Sequence, residues 1–276
     1  MVDNVGTRGI LIDSHVHIYD CFDLSRFLAG AWKNFDAAIQ RHHYDESSLR
    51  VLMLAETSKD HWFQRIFDSI SETSGNAMSV AGKWRFRCLP GDDCAVVADG
   101  ANGEALLLIA GRQIVTLEKI EILALGTRQL FPDGLPLEEV SQQVTASDAL
   151  SVVPWGVGKW LGRRGRIVRK FVETSAESGL FAGDIGGRPT LWPRPRTLRF
   201  AESIGIKVLP GSDPLPLESE AVRAGECGVY LDCHIDMAQP TYEIKEALRA
   251  TSSELSPFFR GENLARFLRN QISIRL

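Results

Sequence analysis

GILIDSHVHIY, residues Gly9–Tyr19, passes from a solid apolar run (Ile10, Leu11, Ile12) into a polar alternation of Asp13, His15 and His17. An apolar run of this length reads as a buried strand, and a strand that turns polar at its end is approaching solvent or a ligand. With a period of two, Asp13, His15 and His17 are expected on one face, with Ser14 and Val16 on the other. Two imidazoles about 7 Å apart along such a strand can converge on one cation. A neighbouring carboxylate would fix their tautomers. The chain has only six histidines, so two in this spacing point to a site.

The bulk numbers narrow the classes. A chain of 276 residues, 44% hydrophobic and 24% charged, can bury a large core as an α/β unit. No apolar run approaches the roughly 20 residues of a membrane span. The opening MVDNVGTRG has no apolar signal region, so a cytoplasmic location is expected. A net charge of -4 and a pI near 5.9 argue against a general nucleic-acid binder. Cys21, Cys88, Cys94, Cys227 and Cys233 form no CxxC pair and are expected as reduced thiols.

Downstream, strands and helices alternate. Helical spacing covers 22–43, a strand 51–55 ends in Glu56-Thr57-Ser58, and Ser58 is a plausible N-cap for a helix over 59–73. Short alternating runs between turn signals over about 80–118 read as an antiparallel β meander inserted in, or continuous with, the sheet. Helices over 135–149, 160–178, 197–203 and 218–225 then alternate with strands at 150–155, 179–185, 206–209 and 228–234. The segment from about 240 to 276 reads as a helical extension. Such alternation implies parallel βαβ units, and the expected architecture is a distorted (β/α)7–8 TIM-like barrel forming a single domain over 1–276.

In a parallel barrel the chemistry sits at the C-terminal strand ends. The residues falling there are His15, His17, Glu56, Glu121, Lys159, Asp184 with Arg188 beyond it, and Asp213. Asp213, in the Gly/Pro-flanked VLPGSDP, can ligate a metal or accept a proton, or simply cap the next turn. Asp184 suits an Asx-turn as well as catalysis, and Glu121 a surface ion pair. Lys159 with Arg163, Arg164 and Arg166 forms a cationic cluster that would hold an anionic substrate if it faces the mouth, or be a solvated helix face. GVGK at 156–159 is not a phosphate loop, because Val153 and Trp160 occupy the positions that need Gly and a hydroxyl residue. His61 falls on the same rim, and His234 ends a late strand.

These landmarks, taken in order, resemble the PHP (polymerase and histidinol phosphatase) domain family, a relative of the amidohydrolase-type barrels. IDSHVH resembles its first-strand HxH. IAGRQIVT and IEILALG resemble its third-strand block, VVPWG its apolar run before His-Pro, and GSDP with Gly225 its late Gly-Ser-Asp segment. The resemblance implies a seven-stranded distorted barrel that hydrolyses phosphoesters with two or three metal ions. Several ligands of that pattern are replaced. Glu56-Thr57 stands for Asp-His, Gln113 for the third-strand Glu, Glu121 for the following His, Trp155 for the fourth-strand His, and Pro214 for the His after Asp213. What the resemblance leaves is one divalent ion (Zn, Mn or Mg) on His15, His17 and Asp213, with Asp213, Glu121 or Asp184 in acid–base roles and Lys159 or Arg188 on a small anionic substrate. The expected function is metal-dependent phosphoester hydrolysis. The alternatives are an amidohydrolase-type C–N hydrolase and a barrel that has lost catalysis and serves as a binding or scaffolding protein. Neither nucleic acid nor membrane is an expected partner; a homo-oligomer is possible in this reading.

Overall fold

A computed structural model describes residues 9–71, 80–156, 159–176, 178–186, 193–250, 255–261 and 269–270. The first element, β1 (Ile10–Val16), is buried at every residue. It leads to α1 (Leu24–His42), whose N-terminus is capped by Asp23 accepting from the Arg26 amide at 2.7 Å. The chain continues through β2 (Leu49–Leu54), α2 (Trp62–Ser71), β3 (Val80–Ala81), β4 (Trp84–Leu89), β5 (Asp92–Asp99), β6 (Ala105–Ile109), β7 (Gly111–Val115) and β8 (Glu121–Leu125). Then come α3 (Leu137–Ala146), β9 (Leu150–Pro154), α4 (Gly162–Thr174), β10 (Phe181–Ile185), α5 (Arg196–Ser203) and β11 (Val208–Gly211). A 3₁₀ turn at Glu218–Glu220, then β12 (Cys227–Leu231), α6 (Pro240–Arg249) and β13 (Ser256–Phe259) complete the described elements.

The strands form two mixed sheets, not the closed parallel barrel expected. One has the order β13-β12-β1-β2-β6-β5-β4-β3, the other β11-β10-β9-β8-β7. Pairing is parallel for β1–β2, β2–β6, β9–β10 and β10–β11, but β7–β8, β8–β9 and β1–β12 are antiparallel. The meander is continuous with the sheet. β6 lies directly beside β2, with Val51 opposite Leu107, so β3–β6 extend the first sheet and β7 begins the second. The C-terminal segment is not all helical, because β13 pairs with β12; of the expected helix at 262–271, residues 262–268 and 271 lie outside the described residues.

The sheets touch along two seams, each marked by a glycine. At one, the Asp213 amide donates to His15 O at 2.8 Å and Ser14 Oγ donates to Pro210 O at 2.8 Å. A Cβ on Gly211 would run into the His15 backbone. At the other, the Gln113 amide donates to Glu56 O at 2.8 Å, and a Cβ on Gly111 would strike Leu54 O. Only a residue without Cβ allows backbones this close. Few bonds cross each seam, and no continuous ladder closes the ring among the described residues.

Three apolar clusters follow from this layering. The inner one, between the sheets, contains Ile10, Ile12, Met53, Ile109, Leu123, Val152, Phe181 and Leu209. Ile244 and Leu248 of α6 complete it near the start of β9, where Lys245 Nζ donates to Asp148 Oδ2 at 2.7 Å. Phe27, Leu28 and Phe35 of α1 cover the outside of the first sheet. Val140 of α3, Val168 and Phe171 of α4 and Leu198 of α5 cover the outside of the second. All five cysteines are free thiols. No described helix is long and apolar enough to cross a membrane.

Candidate metal centre

Strand β1 does not keep a simple alternation. Ile10 and Ile12 face the inner cluster, and Leu11 faces the outer one beneath α1. The register against β2 shifts between Asp13 and Val16, after which Val16 and Ile18 are the outward residues. A bulge of this kind re-aims every side chain beyond it. His15 and His17 are thereby turned inward while Asp13 stays with Leu11, so the three do not share one face as expected. Asp13 Oδ1 accepts from the Ser212 amide at 2.9 Å and the His15 amide at 3.3 Å, and Oδ2 from the Gly225 amide at 2.7 Å. It pins the chain after β11 to β1 and does not orient the imidazoles. Burial pushes its carboxyl up to about 7, against the pull of the Ser212, Gly225 and His15 donors.

The inward histidines meet Asp213. His15 Nε2 lies 3.0 Å from His17 Nε2, and Asp213 Oδ1 lies 3.6 Å from the first and 3.5 Å from the second. Gln113 Oε1 of β7 stands 3.3 Å from His15 Nε2. Asp213 reaches this point because it adopts a left-handed backbone (φ 45°) while its amide bonds His15 O. Burial and the neighbouring His15 lower the His17 imidazole to about 3, so it is neutral at ordinary pH and its lone pair is available. Burial alone would raise Asp213, but His15, Lys159, His17 and Arg223 together hold it below the usual carboxylate range.

This donor set fits a divalent cation. Metal–nitrogen and metal–oxygen bonds of about 2.1 Å in a tetrahedral shell put neighbouring donor atoms about 3.4 Å apart. The three edges here are 3.0, 3.5 and 3.6 Å. Two imidazole nitrogens and one carboxylate suit zinc or manganese, with a position left open. The Nδ1 atoms of both histidines are buried with no hydrogen-bond partner among the described residues. Nothing therefore diverts the Nε2 atoms from the centre, though nothing orients the rings from behind either.

Around the triad sit groups from other strands. Lys159, after β9, donates to Glu121 Oε1 at 2.8 Å and Oε2 at 2.6 Å. Burial disfavours its charge, but Asp213 and Glu121 outweigh that and raise its pKa, so the ammonium is retained. Tyr19 was not anticipated. Its ring stacks on His17, with centroids 5.6 Å apart, and it extends the alternation His15-His17-Tyr19, which was the available signal. Burial, with Asp213, Asp60 and Glu121 close by, holds its hydroxyl well above the ordinary phenol range.

The remaining expected residues lie elsewhere. Glu56 Oε2 is 3.2 Å from Arg112 Nη1, and Oε1 accepts from the Phe63 amide at 2.6 Å, so it anchors the start of α2. Ser58, the expected cap, instead donates to Asp133 at 2.9 Å. Asp184 shares the alternation of Ala182, which packs in the outer cluster, and it does not belong to the metal-sized group of His15, His17 and Asp213. His61 Nδ1 lies 3.4 Å from Arg112 Nη1, and His234 is exposed. Arg188 lies outside the described residues.

Compared by sequence, the chain matches no protein-family profile and no curated protein. Compared by structure, it is similar to PsfC from Pseudomonas syringae PB-5123 (TM-score 0.52, 13% identity, covering 97% of this chain and 98% of that one). It is also similar to the lesion-specific endonuclease Q from Pyrococcus furiosus (TM-score 0.51, 10% identity, covering 90% and 57%). A two-domain protein from Bacteroides vulgatus that contains a predicted PHP-like metal-dependent phosphoesterase matches with a TM-score of 0.46 and 13% identity, over 95% and 70%. The likeness is one of fold. The chain spans a little over half the length of endonuclease Q.

Proposed function

We propose that the chain is a PHP-like metal-dependent hydrolase that cleaves phosphoesters of a small anionic substrate. The observation that carries this reading is the convergence of His15, His17 and Asp213, from β1 and from the loop after β11, into a triangle of cation-binding size. The residues resembling the family's HxH and Gly-Ser-Asp segments are the same three, and the fold likeness to an endonuclease is in keeping with it.

One ion, held by His15, His17 and Asp213, with the neutral Gln113 oxygen beside its open position, is the reading the donor set supports. Such an ion supplies Lewis acidity and a water made acidic enough to attack at neutral pH. Lys159 neutralises the substrate's anionic oxygens. At rest it is held by both oxygens of Glu121. A substrate anion that draws the ammonium away leaves Glu121 free to take a proton, which gives this pair a coupled binding and general-base role. Asp213, with its pKa held low, is a ligand in this scheme, and Asp184 takes no part.

Metal analysis of the purified chain, with His15→Ala as control, tests it directly. About one equivalent of zinc or manganese is expected in the wild type, with loss of that metal and of phosphatase activity on a phosphoester panel in the variant. Metal retained by His15→Ala would overturn the site. A wild type that binds metal but cleaves no phosphoester would favour an amidohydrolase-type or a purely binding role.

A further inference from the structure

Between the turn joining β7 to β8 and the first turns of α4 lies a cavity of about 430 Å³, lined by Leu117, Glu118, Lys119, Arg163, Arg164 and Ile167. This is the volume of a small-molecule site. Three of the six lining residues are cations. The one acid, Glu118, uses Oε2 to accept from the Leu137 amide at 3.1 Å, so it is tied to the start of α3. Helical spacing puts Arg163 and Ile167 on one face of α4, with Arg164 beside them. Arg169, on the same helix, is placed differently, 4.7 Å over the Phe200 ring. The cavity is therefore lined by a selected part of the basic helix and by Lys119 from another strand connection, with Leu117 and Ile167 as an apolar wall.

Its position relative to the candidate metal centre gives it meaning. Lys119 is two residues from Glu121, which holds Lys159. Arg164 is near enough to Lys159 to oppose its protonation. The cavity is thus lined by residues that stand two positions before Glu121 and four and five positions after Lys159 in the chain, with Arg164 acting electrostatically on Lys159 itself. We propose that the cavity is a subsite for a second anionic group, a phosphate or carboxylate, on the same small substrate whose reacting phosphoester sits at Lys159. This rests on the hydrolase reading and extends it to the substrate's class: a molecule with two separated anionic groups. Guanidinium groups suit such a terminal anion because they bind it in a bidentate fashion. A concave lining of six residues, on a chain of net charge -4, favours a small molecule over a polymer.

The test uses two probes on the full chain, glucose 1,6-bisphosphate and glucose 6-phosphate, with affinities measured by calorimetry and phosphate release followed in parallel. The wild type is expected to bind the bisphosphate at least about tenfold more tightly than the monophosphate. The double variant Arg163→Gln/Arg164→Gln, altered only at exposed positions, should bring the two affinities together while keeping that for the monophosphate. Lys159→Gln should weaken both. Equal affinities in the wild type, no binding of either probe, or a preference that survives the double substitution would each overturn the subsite. So would a single-stranded oligonucleotide that binds more tightly than the bisphosphate and is released by the same double substitution, since the face would then serve a polymer. Absence of phosphate release with the bisphosphate preference intact and sensitive to the substitutions would sink the hydrolase reading and leave the subsite standing.

Discussion

At the scale of single residues, the centre is distinguished by what carries charge in it. Asp213 is the one carboxylate in the triangle, and Gln113 presents a neutral amide oxygen 3.3 Å from His15 Nε2. Gln113→Glu replaces that oxygen with a charged one at nearly unchanged volume. Two unit charges about 4 Å apart at an effective dielectric near 20 interact by about 4 kcal/mol, and the ion is divalent. Desolvating the new carboxylate takes back much of this, so we expect divalent-ion affinity to rise by about tenfold or more. Competition against a chromogenic chelator measures it, and an affinity unchanged or lowered would show that Gln113 does not face the ion. His15, His17 and Asp213 were legible in the sequence because HxH and Gly-Ser-Asp are local patterns. The Lys159–Glu121 pair was not, although both residues stood out, because a contact 38 positions apart depends on how β8 and β9 pair.

At the scale of elements, β1 departs furthest from its sequence pattern. A period of two puts Asp13, His15 and His17 on one face, and a shift of register against β2 separates them. Such a bulge is set by the partner strand, so no reading of residues 9–19 alone could have found it. The same holds for Glu56, which ended a strand as a candidate catalytic carboxylate and proved to be a junction. It joins Arg112 of β7 to the first turn of α2 through one buried side chain, and burial raises its pKa against the pull of the Phe63 amide and Arg112. Glu56→Ala leaves the buried Arg112 guanidinium with Asp60 O and His61 Nδ1 but without its carboxylate, and the Phe63 amide without its acceptor. Breaking a buried pair from one side costs about 3–5 kcal/mol. Chemical denaturation should show a loss in that range with the metal affinity of any folded protein unchanged. A loss below about 1 kcal/mol would mean that the junction is solvated or replaced.

For the whole molecule, the alternation of strands and helices was legible and the closure was not. Helix and strand positions follow from local periodicity, but the antiparallel pairing of β7, β8 and β9 is a property of connections, and the division into two sheets lies at the β1–β11 and β2–β7 seams, where few backbone bonds cross. The sheets are held at the β1–β11 seam by Asp13, whose carboxylate receives three backbone amides. That makes the seam sensitive to pH in a calculable direction. A carboxyl whose pKa is about 7 folded and near 3.8 unfolded holds its proton in the native state while the unfolded chain has released it. Its contribution is complete below about pH 4 and is lost as pH rises through about 7, by at most about 1.4 kcal/mol per unit. His17 has the opposite sign. Its pKa falls to about 3 from 6.5, so stability is gained as pH rises through that window, and the two slopes offset one another between about 4 and 6.5. Asp13→Asn separates them. The amide cannot accept from all three backbone donors, which costs about 1–3 kcal/mol at pH 4. Because the variant lacks the Asp13 titration, which removes up to about 4 kcal/mol from the wild type between pH 4 and 7, its deficit should close and then reverse across that range. The variant alone should gain stability up to about pH 6.5, as His17 loses its proton in the unfolded chain while it is already neutral in the native one. Denaturation midpoints of both proteins, freed of metal and taken at unit pH intervals, decide the matter: a deficit that stays constant across that range would mean that Asp13 is ionised throughout, with its three amide donors outweighing its burial.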